Sequence, residues 1–149
     1  MVSRRDLHER GIRGPLAMPN PYTRASAKLP LRETRAEFFF GCLTRSVDRI
    51  QSTCPEALIG IDIGVEEVPD PVNGMWSGLE SQGAVPLALA VDPQAGRSAR
   101  VIVYRRPIER RAVSRDELQH LVHHTLVEQL SVLTSRSVTD IDPRFDDEF

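Results

Sequence analysis

From Ala36 onward, apolar side chains recur in steps of four and three: Ala36, Phe40, Leu43, Val47, Ile50 and Cys54. That spacing predicts a helix over 32–53 with one apolar face more than five turns long, closed by Pro55, which pushes the residue before it out of helical geometry. Such a stripe has to be buried against something. The next segment supplies the partner by changing period: Ile59, Ile61, Ile63 and Val65 alternate with Gly60, Asp62, Gly64 and Glu66, the pattern of a strand with one wet face. Phe39 and Phe40 are expected in the core between them.

Further period-two signals follow. Val85, Leu87, Leu89 and Val91 alternate into Asp92-Pro93-Gln94-Ala95-Gly96, a turn that predicts an antiparallel hairpin with the next strand. Val101-Ile102-Val103-Tyr104 is apolar throughout and rich in β-branching, which predicts a central strand covered on both faces. Between the first two strands, Pro69-Asp70-Pro71, Asn73-Gly74 and Gln82-Gly83 mark 67–83 as a long surface loop, with Trp76 folded back over the sheet edge. Arg105 to Arg111 holds four arginines, Pro107 and Glu109 and reads as a solvated strand exit.

Ser114 and Glu117 form an S-x-x-E capping box, which starts a helix from 115 to about 135. Projection at 100° per residue gathers Leu118, Leu121, Val122, Thr125, Leu126, Leu130, Val132 and Leu133 on a core face, with Gln129 near its centre. Glu128 falls at the edge of that face, and His123, Val127 and Ser131 form a column outside its centre. The fold class is therefore α+β: a small twisted sheet of about three strands, mixed or antiparallel, flanked by two main helices. Residues 32–136 make the domain. Residues 1–31, with six basic groups against two acidic ones, read as a flexible Pro- and Arg-rich arm, and 137–149 as an acidic tail outside the fold.

With 149 residues the chain has enough length for one core without a metal or disulfide staple. No apolar run approaches the ~20 residues that span a bilayer, and the Arg-rich start lacks the apolar stretch of a secretory signal. Cys42 and Cys54 lie twelve residues apart near one helix, about 18 Å at 1.5 Å per residue, too far to bridge. Free thiols and no leader predict a cytoplasmic protein with no membrane contact.

The order of these elements, the Tyr104-Arg105-Arg106-Pro107-Ile108 segment and the capped last helix resemble a small bacterial, actinobacterial-type, zincin-like metallopeptidase family over roughly 32–135. Members of that family carry H-x-x-x-H-E-x-x-H on the last helix, two histidines one turn apart binding zinc and the glutamate serving as general base. This chain reads His123-His124-Thr125-Leu126-Val127-Glu128-Gln129-Leu130-Ser131. By that resemblance His123 matches the leading histidine and Glu128 the base, Val127 and Ser131 stand where zinc ligands belong, and Ser137 or a neighbour stands for a third.

The resemblance then implies a degenerate member: no metal, no cofactor, Glu128 a relic base, and a remnant cleft along Tyr104, His123, Val127 and Ser131 that holds an extended peptide of a partner protein. One alternative is an active zinc metallopeptidase drawing ligands from His123 and His124 with Asp140 or Asp142, although adjacent helical residues point ~100° apart. A second is a nucleic-acid-associated protein using the Arg-rich arm and Arg105 to Arg111; the pI of about 6.1 weighs against it. Among the histidines, His120 and His124, one turn apart, are expected at the surface.

Overall fold

The computed structural model of the protein describes residues 32–70 and 85–148, and Arg35 onward forms one compact unit. Its elements run α1 (Arg35–Thr53), a 3-10 turn (Pro55–Leu58), β1 (Ile61–Glu66), β2 (Ala88–Val91), β3 (Ala99–Tyr104), α2 (Arg105–Arg111), α3 (Arg115–Thr134), α4 (Val138–Ile141) and a last 3-10 turn (Phe145–Glu148). The fold is α+β around a three-stranded mixed sheet of order β1-β3-β2. β3 is central as expected, parallel to β1 and antiparallel to β2. The basic arm 1–31, Trp76 and most of the loop read at 67–83 lie outside the described residues.

The register explains which face is core. Val101 and Val103 are fully buried, and Ile63 and Val65 pair with them from β1. On β2 the partners of Val103 and Val101 are Ala88 and Ala90, small enough for α3 to pack against that strand. α3 also packs on α1, so it is enclosed from two directions. Phe39, Cys42, Leu43 and Ile50 are the buried apolar residues of α1. The buried face is thus turned about one residue from the predicted stripe: Phe39 is in the core, whereas Phe40 is 52% exposed. Both cysteines are buried and neither forms a disulfide.

Two expectations need correction. Arg105 to Arg111 is the helix α2, not a solvated exit: Pro107 sits in its first turn, where a missing N–H costs no helical hydrogen bond. Arg105 is buried at its start. Its guanidinium grips Glu67 at 2.6 and 2.9 Å and reaches Glu109 one turn on at 3.1 Å. The Arg105 hydrogen bond, opposed by burial and helped by Arg106, holds the Glu67 carboxyl below its ordinary pKa.

The second correction is at the C-terminal end. The segment read as an acidic tail outside the fold contributes fully buried Ile141 and nearly buried Phe145 to the same core as Val122, Leu126 and Leu130. A few apolar side chains spaced along an acidic stretch suffice to hold it there, because the charged residues around them face water.

Candidate functional site

α3 is the element expected to carry chemistry, and its start is built as the sequence predicts. The Ser114 hydroxyl accepts from the Glu117 amide at 3.1 Å, while the Glu117 carboxylate accepts from the Val113 amide at 2.8 Å. Beyond the first turn the observed faces differ from the projection. Val127 is fully buried and His123 only 6% exposed, so the column of His123, Val127 and Ser131 faces inward for most of its length. The stripe one residue further on is open instead: His124 is half-buried, Glu128 is exposed, and Val132, expected in the core, is 69% exposed. The single-face projection fails because the sheet covers one side of α3 while α1 and α4 cover another, which widens the buried arc.

At the inner column lies a polar cluster that local sequence patterns do not announce. His123 Nε2 is 2.6 Å from Asp142 Oδ2, and since a carboxylate can only accept, the imidazole donates. The Arg49 guanidinium of α1 approaches the same oxygen at 2.8 Å, and the Arg144 amide donates to Asp142 Oδ1 at 3.0 Å. Asp142 is 1% exposed. Burial alone would push its carboxyl up, but the His123 hydrogen bond, the Arg144 amide and the Arg49 charge outweigh it and hold the group below its ordinary value of 3.8. Thr53 adds a tie, donating to the Ile141 carbonyl at 2.7 Å. Next door, the rings of His124 and Phe145 stack with centroids 3.8 Å apart. The cluster fastens the C-terminal segment to α1 and α3.

The other expected residues occupy separate places. The Ser131 hydroxyl donates to the Arg136 carbonyl at 2.6 Å, closing the end of α3, where Ser135 adopts the left-handed conformation of a helix stop. Glu128 pairs with His124 at 3.5 Å on the open stripe. Tyr104 ends β3 on the sheet face opposite Val103, in a hollow with Glu66, Asp70 and Leu89. Ser137, expected at a third ligand position, is the N-cap of α4 and forms a capping box with Asp140. The remnant cleft of Tyr104, His123, Val127 and Ser131 is therefore not assembled as one groove.

A family model for zincin-like metallopeptidases matches residues 58–144, more than half of the 149 residues. The chain belongs to that family. The match begins after α1, later than the resemblance starting at residue 32, and runs past α3 through Asp142, so α4 and the Asp142 cluster position lie within the matched range, which stops just short of Phe145. No curated protein matches the chain.

Zincin-like metallopeptidases imply zinc, and the residues present do not fit it. Val127 has no lone pair and sits in the core; the Ser131 hydroxyl is a weak zinc ligand already committed to Arg136. His123 is held by Asp142, His124 turns instead toward Glu128 and Phe145, and Asp140 caps α4. The alternative ligand set of His123, His124 and Asp140 or Asp142 is thus not brought together. Among the described residues no three His, Cys, Asp or Glu side chains are placed to hold a metal ion. The sequence reading named Asp142 only as an alternative zinc ligand and missed its pairing with Arg49, because that contact spans ninety-odd residues, yet Ser137-Val138-Thr139-Asp140 before Ile141 is itself a helix-start signal that could have flagged an ordered α4.

Proposed function

We propose that this family member no longer hydrolyses peptide bonds and acts by holding an extended segment of a partner protein. One observation carries the reading: Val127, which by the resemblance stands where a zinc ligand belongs, is enclosed in the hydrophobic core with Leu126 and Leu130. Without a metal to lower the pKa of water, an exposed Glu128 is a weak base with nothing to activate. Glu128 is then a relic.

The binding half of the proposal rests on β2. It is an edge strand of the described sheet and lies against α3. The Tyr104 amide donates to the Leu87 carbonyl, so by the alternation of an antiparallel ladder the amides of Ala88 and Ala90 point away from β3. An extended peptide can pair with that edge. Two buried thiols outside any disulfide support a cytoplasmic setting. No described helix is long and apolar enough to cross a membrane.

The test is binding of labelled extended peptides to the full chain, with and without chelator and zinc. Capture that ignores chelator, persists in Glu128→Gln and disappears when alternate peptide amides are N-methylated supports the proposal. Chelator-sensitive cleavage lost in Glu128→Gln overturns it.

A further inference from the structure

At the N-terminal end of β2 the surface changes character. A cavity of about 500 Å³ opens there between the segment after β1, the segment before β2, and α2. Its lining includes Val68, Val85 and Leu87, and Val68 and Val85 are 56% and 58% exposed. Its rim is Arg106 and Arg110, one turn apart on α2, with Arg111 beside them at the end of the helix. Arg106 is compensated by Glu67 at 3.0 Å. Arg110 and Arg111 are exposed and have no ion-pair partner among the described residues.

We propose that this groove is the specificity end of the peptide site, and that it selects a segment in which an acidic side chain alternates with apolar ones. The inference rests on the binding reading above and adds the chemistry of the partner. Nearness links the two: Leu87, which lines the groove, directly precedes Ala88 at the start of β2, so a strand lying along Ala88 and Ala90 ends beside the cavity. Side chains of an extended peptide alternate between faces, which puts every second one over Val85 and Leu87 and leaves its neighbours for the arginines. Guanidinium groups suit carboxylates through paired N–H donors. A nucleic acid fits less well, because Val68, Val85 and Leu87 are apolar and the chain as a whole carries a net charge of −2.

The experiment is fluorescence anisotropy of the full chain with three probes: a labelled peptide of alternating Leu and Glu, its Leu and Lys counterpart, and a labelled DNA duplex. The expected result is that the acidic peptide binds more tightly than the basic one by about tenfold or more, that the preference shrinks with added salt, and that Arg110→Glu with Arg111→Glu abolishes it. Both positions are on the surface, so folding is not at stake, and circular dichroism checks this. Equal binding of both peptides, sensitive to N-methylation but indifferent to the arginine variant, overturns the groove while leaving the edge-binding function intact. Absence of binding by any peptide overturns both. Tighter binding of the duplex, lost in the same variant, overturns the peptide assignment in favour of a phosphate surface. A complex of two copies whose assembly blocks the acidic peptide and depends on Arg110 and Arg111 also overturns it, since a second chain is then the occupant.

Discussion

Val127 and Asp142 decide what α3 can do. Placing an imidazole at position 127 should not restore a metal site, because the side chain is sealed among Val122, Leu126 and Leu130. Val127→His should instead destabilise the protein by about 2 kcal/mol or more, the cost of burying a polar ring without partners. Urea denaturation measures the loss, and zinc should not recover it. Asp142→Ala should cost about 3 kcal/mol, since it removes the acceptor of His123 and leaves the Arg49 guanidinium without its counter-charge.

The same carboxyl sets an acid limit. Its native pKa lies below its unfolded one, so the unfolded chain binds the proton more readily, and the stabilisation is complete above the ordinary value of 3.8. It disappears as the pH falls through that value toward the lowered one. Unfolding free energy against pH should therefore drop steeply below about pH 4, and Asp142→Asn should flatten that part of the curve.

Among the elements, the legible ones are those whose signals are local. β3 announces itself through four consecutive apolar residues, β2 through its alternation into the Asp92-Pro93 turn, and α3 through Ser114 and Glu117. Elements whose order depends on distant partners are not legible in this way. α2 looks like a loop until Glu67 arrives to neutralise Arg105, and α4 looks like a tail until Thr53, Arg49 and His123 fasten it. The helix faces fall between these cases: period alone finds α1 and α3, but which arc is buried depends on how many neighbours enclose each helix. The site suffered most from this, since a one-residue rotation exchanges Val127 for Glu128 at the open surface.

The C-terminal segment is thus predicted to be an integral element. Truncation after Arg136 removes Ile141 and Phe145 from the core and leaves His123 and Arg49 without Asp142. The shortened chain should lose its cooperative thermal transition, or melt many degrees lower, by circular dichroism. Retention of the full-length melting temperature would show that the segment is dispensable.

At the scale of the whole molecule, a metallopeptidase-family domain keeps its helix-on-sheet architecture while its last helix turns the expected ligand column into the core. The interior that results is braced by hydrogen bonds and charge pairs between α1, α3 and the C-terminal segment. On the proposed reading, the edge strand β2 and the hollow beside Arg110 and Arg111 are the surfaces through which it acts. The most direct measurement is elemental analysis for zinc on untagged protein dialysed against the metal and then against buffer. The expected result is zinc no higher than in the buffer blank, unchanged in Glu128→Gln and His123→Ala. Stoichiometric zinc in the unsubstituted protein would contradict a domain built without its metal.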